Sequence, residues 1–233
     1  FADQIFGDLS CVAQGITDVT GVKQLQGVTS LDLRDNNIGD AANLAANLSA
    51  IAQLGQSYYA MQGLNISNNK FNPVSNLADL GKLTRLTQFI SGQNPLNDFS
   101  WLASLSNLEI LFLNNSQIDA ADLLPIANLP NLYKLVLFGN PNLSDLSNVV
   151  SNAVTPGLSK LRELNLNNCA ISDLTPVANF VSLNRLFLTS NGITDITPLQ
   201  SLVNLSELNI ADNNINNDSM LALQSLAALT VLN

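Results

Sequence analysis

Few side chains in this sequence could carry out acid–base or nucleophilic chemistry. Its 233 residues include no histidine and two cysteines, Cys11 and Cys169. Histidine is the commonest general base and a frequent zinc ligand, so its absence removes most catalytic triads and most zinc sites. Carboxylate pairs such as Asp32 with Asp35 remain, and paired carboxylates can serve as general acid and base. No glycine-containing segment has the spacing of a phosphate-binding loop, and the sequence predicts no cofactor.

Composition and charge exclude two further classes of function. The chain is 46% hydrophobic and only 12% charged, with a formal net charge of −9 at pH 7. Nucleic-acid binding requires a basic stripe that displaces counterions from phosphates, and the nine Lys and Arg residues are scattered. No apolar run approaches the roughly 18 residues of a membrane span, so the sequence predicts no membrane insertion.

A repeat of about 22 residues must position whatever groups are functional. LRELNLNNCAISDLTPVANFVS from Leu161 and LNRLFLTSNGITDITPLQSLVN from Leu183 align without gaps, and a third copy starts at Leu205. Weaker copies start at Val28, Met61, Leu86, Leu108 and Leu132, and an incomplete one starts at Leu229. Self-similarity at this period indicates a solenoid in which each copy adds one coil.

The pattern L-x-x-L-x-L-x-x-N-x-I-x-D resembles the leucine-rich repeat family. The ITDITPL copies are most similar to the 22-residue type of bacterial internalins. This resemblance implies an α/β fold: a curved leucine-rich repeat solenoid with a parallel β-sheet on its concave face and short helices and 3₁₀ turns on its convex face. It also implies a non-catalytic recognition module. In that reading Asp32 and Asp35 lie at strand edges, where solvated surface charge is the default.

Two polar columns of the repeat have structural explanations. A buried Asn amide after each strand can bond backbone groups of its own coil and the neighbouring coil, and Ser116 and Cys169 should make this ladder locally weaker. The column consists of Asn36, Asn69, Asn94, Ser116, Asn140, Cys169, Asn191 and Asn213. An Asp that follows four or five residues later should cap the next turn. These are Asp40, Asp98, Asp145, Asp173 and Asp195. Both cysteines are expected to be free thiols, because their Cα atoms lie beyond the roughly 7 Å limit of a disulfide.

Irregular spacing predicts where helices occur. Residues 40–54 have apolar side chains at helical spacing and predict a helix, and residues 120–129 and 148–154 are shorter candidates. At the N-terminus we favour a helical cap over residues 3–14, because an end coil needs a lid. The alternative is that Phe6, Leu9, Cys11 and Ile16 form a degenerate first repeat. The predicted organisation is an N-terminal cap, residues 1–20, and a leucine-rich repeat domain, residues 21–233, of about eight to nine coils, with a natural chain that continues past 233.

The outward positions of the strands hold a candidate binding site. Parallel strands in register should stack equivalent positions into three outward columns, in which Lys134, Glu163, Arg185 and Glu207 alternate in charge and can pair. Five apolar residues are predicted to converge on adjacent strands, with Phe187 two strands further on. The five are Ile90, Ile110, Phe112, Val136 and Phe138. The alternative is that such residues simply suit strands. Apolar patches of a few hundred Å² usually mark binding sites, so we interpret the cluster as a protein-binding surface with a polar rim. The rim is Gln88, Asn114, Lys134 and Arg185.

The sequence therefore predicts a protein ligand on the concave face. By resemblance to internalins, the protein is expected to be secreted or displayed on a bacterial cell surface. An intracellular scaffold or regulatory subunit is the first alternative. Glycan recognition on the concave face is the second, because Phe112 and Phe138 could stack on a sugar ring.

Overall fold

Each copy of the repeat contributes one short parallel strand to the fold. The structure is a computed structural model that describes residues 7–25, 27–56, 61–73, 75–149 and 158–233. These residues fall into two compact units, Phe1–Ser116 and Gln117–Asn233. In both units the strands follow chain order in the sheet and run parallel.

Five strands lie among the described residues of each unit. The first unit contains β1 (Gly7–Ser10), β2 (Val28–Asp32), β3 (Gly63–Asn65), β4 (Gln88–Ile90) and β5 (Ile110–Phe112). The second contains β6 (Lys134–Val136), β7 (Glu163–Asn165), β8 (Arg185–Phe187), β9 (Glu207–Asn209) and β10 (Val231–Leu232). The strands are short because each coil of a solenoid needs only one straight side.

Helices and 3₁₀ turns connect the strands. One α-helix, α1, spans Leu44–Leu54 and confirms the helix predicted within residues 40–54. The first unit also has 3₁₀ helices at Thr20–Gln24, Ile38–Asp40, Ala78–Lys82 and Ser100–Ser104. The second has them at Ala121–Leu123, Ile126–Asn128, Ser147–Val149, Pro176–Asn179, Thr197–Ser201 and Ser219–Ser225. The segment predicted at 120–129 is thus two 3₁₀ turns, and most of the 148–154 candidate lies outside the described residues.

The N-terminal helix prediction is wrong for the residues that the structure describes. Gly7–Ser10 form a strand that pairs with β2, which places Leu9 opposite Leu31 in the inward leucine column. The Asn36 amide then bonds the carbonyl of Cys11 and the backbone N–H of Ile16. Pairing satisfies the backbone of this segment in the way that it does in later coils. The alternative of a degenerate first repeat therefore describes residues 7–16, and residues 1–6 lie outside the described part.

Inward leucines and their equivalents form the core. Leu31 and Leu33 are buried, as are the equivalent residues Leu111 and Leu113 three coils later. Phe89 replaces the leucine on β4, and its ring meets that of Trp101 edge-on, with centroids 5.1 Å apart. This geometry is favourable for two aromatic rings.

The Asn ladder forms as the repeat predicts. Asn191 Nδ2 donates to the carbonyls of Leu188, in its own coil, and Leu166, in the preceding one, and its Oδ1 accepts from the N–H of Ile171. Ser116 and Cys169 both keep the donor role toward the preceding coil. Ser116 Oγ donates to Ser91 O at 3.3 Å, and Cys169 Sγ lies 3.4 Å from Leu137 O.

Most of the predicted aspartate caps are present. Asp98, Asp145, Asp173 and Asp195 each accept a hydrogen bond from the backbone N–H two residues later, at 2.7–2.9 Å. Asp40 is the exception, because it lies inside the Ile38–Asp40 turn and pairs with Lys70 instead. Both cysteines are free thiols, as predicted, and burial raises the pKa of Cys169. Across the described ranges, no helix combines the length and apolar character that crossing a membrane requires.

Candidate functional site

The outward columns predicted from the repeat are present in each unit. In the first unit, Ser30, Gly63, Gln88 and Ile110 stand side by side, as do Asp32, Asn65, Ile90 and Phe112. In the second unit, the columns are Lys134, Glu163, Arg185 and Glu207, and Val136, Asn165, Phe187 and Asn209. We call the outward side of these strands the strand face. Its composition differs between the two units.

Three members of the predicted apolar cluster lie on the strand face of the first unit. Ile90 on β4 pairs in register with Phe112 on β5, and Ile110 precedes Phe112 by two residues. All three side chains are half-buried and therefore retain apolar surface in contact with solvent. Gln88, a predicted rim residue, lies beside Ile110 in the same column and is also half-buried. We call Ile90, Ile110 and Phe112 the apolar group of the first unit.

Asn114, the other rim residue in this unit, is positioned by a glycine. A side chain on Gly92 would meet the Asn114 amide, because a Cβ there would lie 2.5 Å from Oδ1. The absence of a side chain on Gly92 thus leaves room for the Asn114 amide. The half-buried Asn114 side chain borders the apolar group at the end of β5.

The other two predicted members belong to the second unit and differ in exposure. Phe138 is half-buried, whereas Val136 is only 4% exposed. A valine side chain is short, so neighbouring side chains on the sheet cover it readily. The prediction that Val136 faces water is therefore wrong, and Val136 offers almost no surface to a ligand.

Alternating charges form a continuous ladder on the strand face of the second unit. Lys134 Nζ lies 2.9 Å from Glu163 Oε1, and the other oxygen of Glu163 lies 2.9 Å from Arg185 Nη1. Arg185 Nε in turn donates to Glu207 Oε2 at 2.6 Å. The pairing predicted from the sequence is confirmed. We call these four residues the ion-pair ladder.

Arg185 has a second role in this unit. Its guanidinium lies over the Phe187 ring, 5.2 Å from the ring centroid, which is favourable cation–π geometry. The hydrogen bond to Glu207, followed by the charges of the two glutamates, raises the pKa of Arg185 above its usual value. Phe187 is thus part of a stacked arrangement with Arg185, which the sequence prediction had treated as separate rim and apolar members.

The polar residues of the second column close off the ends of their strands. Asp32, Asn65, Asn165 and Asn209 each accept a hydrogen bond at Oδ1 from the backbone N–H two residues later. Where Phe187 occupies this column, the N–H of Thr189 bonds Asn167 Oδ1 of the neighbouring coil instead. Sequence reasoning missed this role, although an Asx residue two positions before a turn is its signal.

A small hollow lies on the strand face of the first unit. Gly63 has no side chain between Ser30 and Gln88, and this leaves a cavity of about 120 Å³. The hollow is lined by Ser30, Leu31, Asp32, Gly63, Leu64, Asn65, Gln88 and Ile90. We call it the Gly63 hollow. The repeat pattern places Gly63 in this column, but nothing in the pattern indicated a cavity.

The carboxylate pair considered for catalysis has structural partners. Asp32 accepts from the backbone N–H of Arg34 and lies 3.4 Å from its guanidinium. Asp35 accepts from the Asn68 side chain at 2.9 Å. Within the described residues, no group of three or more His, Cys, Asp or Glu side chains is placed to hold a metal ion.

Family models recognise the repeat in this chain. Leucine-rich repeat models match residues 159–201, as two copies, and residues 26–42 and 201–223. These segments carry the strands and ladder asparagines described above. The chain thus contains leucine-rich repeats. Proteins with such repeats are generally non-catalytic recognition modules. No curated protein matches the chain at a significant level.

Solved structures similar to this chain include several internalins of Listeria monocytogenes. Internalin C2 is 29% identical, with a TM-score of 0.66, and the match covers 97% of this chain and 80% of that one. An internalin named inlF is 22% identical, with a TM-score of 0.57 and the same two coverages. The functional domain of InlJ, described as including a cysteine ladder, is 23% identical, with a TM-score of 0.64; the match covers 97% of this chain and 48% of that one. The repeats are thus of the internalin-like type.

Proposed function

We propose that this protein is a non-catalytic recognition module that binds a protein ligand on its strand face, and that a bacterium secretes it or displays it on the cell surface. The apolar group of the first unit is the observation that carries the proposal. Ile90, Ile110 and Phe112 lie on two adjacent strands and are half-buried. Evenly distributed strand-forming residues would not place three large apolar side chains together next to the polar residues of β2 and β3.

The energetics favour a protein partner for this group. Full burial of one such side chain contributes about 1.5–3 kcal/mol, and these three are already partly covered. Completing their burial is therefore a driving force for association. Interfaces commonly have such an apolar centre inside a polar rim, which here would be Gln88 and Asn114.

The second unit offers a candidate ligand contact of its own. Phe138 is half-buried and supplies apolar surface. The second unit also has a charged surface, in which the ion pairs of the ladder hold the side chains of Lys134 and Arg185. The Phe187 ring lies under the Arg185 guanidinium. Side chains that are already ordered lose less conformational entropy when a partner binds. Val136 is not part of the proposed contact, because it is buried.

Secretion or surface display is supported by the kind of protein that resembles this chain. Internalins of Listeria and a leucine-rich repeat protein of Leptospira interrogans share its fold. Fractionation of the native host tests this part of the proposal. Antibody detection in the culture medium or on intact cells is expected, and detection only in the cytoplasm would favour the scaffold or regulatory-subunit alternative.

A capture experiment tests recognition itself. The wild-type protein and an Ile110→Asp, Phe112→Asp double variant are immobilised and exposed to host-cell and bacterial surface extracts. We expect a partner to be retained by the wild type and lost by the variant, because two carboxylates placed in the apolar centre would have to be desolvated.

The matched control is Asn209→Asp. It adds a carboxylate at the equivalent column position on β9 and preserves the Oδ1 acceptor for the N–H of Ala211. All proteins must first show the same circular dichroism and melting temperature. Equal capture by the folded double variant and the wild type would contradict the proposed site.

A further inference from the structure

The Gly63 hollow lies at a position of the strand face that holds a side chain in all the other described coils. In the first unit, this column otherwise reads Ser30, Gln88 and Ile110. A Cβ built on Gly63 would lie 3.0 Å from Ser30 Oγ, so even a methyl group would begin to fill the space. The cavity of about 120 Å³ is well below the roughly 300 Å³ at which small-molecule pockets begin. It can accept the end of one side chain and is too small for a drug-sized molecule.

Polar groups around the hollow have unused hydrogen-bonding capacity. Asn65 Oδ1 accepts from the N–H of Ser67, which leaves its Nδ2 group as a donor. Within the described part of the chain, neither the Ser30 hydroxyl nor the Gln88 amide makes a protein hydrogen bond, and both residues are half-buried. Half-buried polar groups bond either water or a ligand, so the rim suits a polar occupant.

The charge at the hollow is negative. Of the described residues that line it, only Asp32 is ionisable, and its side chain is 25% exposed. Asp8 on β1 pairs in register with Ser30 and adds a second carboxylate to the same column. Arg34 pairs with Asp32, with its Nε 3.4 Å from Oδ2, and its side chain is 52% exposed. Exposed pairs of this kind contribute little stability, so a second cation can compete for Asp32.

One wall of the hollow is apolar. Ile90 lies next to Asn65 in the second column and contributes to the lining. Lysine and arginine combine an apolar stem with a cationic end, and they commonly lay that stem along apolar surface while the charge reaches a polar group. An Ile90 wall with a carboxylate beside it matches this combination.

We propose that the Gly63 hollow binds a cationic side chain, lysine or arginine, of the protein ligand. The stem would lie against Ile90, and the ammonium or guanidinium group would meet Asp32, with Ser30 and Gln88 completing its hydrogen bonds. This inference rests on the proposed function and adds the chemistry of one ligand residue to it. The hollow would fix the position of the ligand, and the apolar group on β4 and β5 would provide most of the buried area.

Short peptides test the proposal without knowledge of the partner. The probes are acetylated, amidated pentapeptides Gly-Gly-X-Gly-Gly in which X is lysine, arginine, norleucine or glutamate, together with methyl α-glucoside. Each is titrated into the full ¹⁵N-labelled chain, and the backbone amide signals of Gly63 and Asn65 are followed. We expect the lysine or arginine peptide to bind with an affinity at least about fivefold higher than that of the norleucine peptide, as measured from the shifts of these signals. The glutamate peptide should not bind.

Two variants locate the binding. Asp32→Asn keeps the acceptor for the N–H of Arg34 and removes the charge, and it should weaken the cationic peptide about fivefold. Asp35→Asn is the matched control, because it removes the same charge from a residue outside the lining and asparagine tolerates its positive φ of 60°. Gly63→Ala should also weaken binding. If that variant does not fold, Ser30→Ala removes a rim hydroxyl without adding an atom.

The results separate this inference from the proposed function. No preference for the cationic peptides, equal effects of Asp32→Asn and Asp35→Asn, or binding of the glucoside alone would overturn the inference. If the Ile110→Asp, Phe112→Asp variant still loses its captured partner in that case, the proposed function stands. If the peptides bind as expected but capture is unaffected by that double variant, the hollow is a cation site and the apolar group is not the recognition surface.

Discussion

The first and second units use the same outward strand positions for different chemistry. In the first unit the column contains one charged residue, Asp8, and the Gly63 hollow, and its other members, Ser30, Gln88 and Ile110, are uncharged. In the second unit the equivalent column is the ion-pair ladder, whose four side chains satisfy one another. The inward leucines are nearly identical in both units.

This contrast separates what the repeat requires from what it leaves free. Inward positions must fill a core and support the neighbouring coil, so they vary little. Outward positions carry no such requirement, and differences there are where a ligand preference can be encoded. In the described part of the first unit, the Ser30 hydroxyl makes no protein hydrogen bond and Ile90 keeps apolar surface in contact with solvent. In the second unit, the charges of the ion-pair ladder are already paired. Ligand contact should therefore stabilise the first unit more than the second.

The largest expected effect concerns the buried rungs, because each unit has three Asn rungs and one irregular rung. In the first unit, Asn69 Nδ2 donates to the carbonyls of Leu33 and Ile66. Asn69→Leu leaves these groups unpaired and should reduce the free energy of unfolding by about 2–4 kcal/mol. Cys169→Ala in the second unit removes only a weak donor and should cost about 1 kcal/mol. Urea unfolding of both variants measures the difference, and equal losses would show that the two kinds of rung are equivalent.

The two irregular rungs share a sequence feature. Asn94 is followed by Pro95 and the next rung is Ser116, and Asn140 is followed by Pro141 and the next rung is Cys169. In regular coils the rung oxygen accepts the N–H two residues after the preceding rung, as Asn213 does from Ile193. Proline fixes φ directly after the rung, at the start of the loop that supplies this N–H in regular coils. Ser116 and Cys169 keep the donor bond to the preceding coil.

Much of the fold could be predicted because it depends on period and residue type alone. The outward columns, the ladder asparagines and caps such as Asp173 each follow from a residue type at a fixed offset in the repeat. The same offsets predicted the ion pairs, because strands in register place Glu163 beside Lys134 and Arg185.

The features that could not be predicted depend on the depth of a side chain in the face. Val136 is buried because its neighbours cover it. The repeat pattern predicts the side of the sheet to which a residue points, but not how far neighbouring side chains cover it. The Gly63 hollow arises from a missing side chain between two retained ones. Gly7–Ser10 lack a complete repeat pattern, so helical spacing of the apolar residues was the stronger signal, although strand pairing with β2 prevailed.

A smaller expected effect is that variants of the two strand faces differ in how their loss of stability depends on salt concentration. Arg185→Met removes both pairs that Arg185 makes, and these partly exposed contacts together should contribute about 1 kcal/mol. Most of that loss should vanish in 1 M NaCl, because the Debye length falls to about 3 Å. Ile110→Ala in the first unit should lose a similar amount that does not depend on salt, since burial is its main contribution. Unfolding of both variants at low and high salt tests this, and a salt-dependent Ile110→Ala would contradict the assignment.

The smallest effect should be the same in both units, because they share the aspartate caps. Hydrogen bonds from the Ser100 and Thr197 side chains, followed by those from their backbone N–H groups, lower the pKa values of Asp98 and Asp195. A carboxylate whose pKa is lower in the folded state contributes stability above its unfolded pKa, near 4, and loses it as the pH falls through the folded value. The melting temperature should therefore drop at acidic pH. Asp98→Asn in the first unit and Asp195→Asn in the second keep the acceptor and remove the titration, so each should make that drop slightly shallower. Melting curves between pH 2.5 and pH 6 measure it, and a change for one variant alone would show that the caps, like the strand faces, differ between the units.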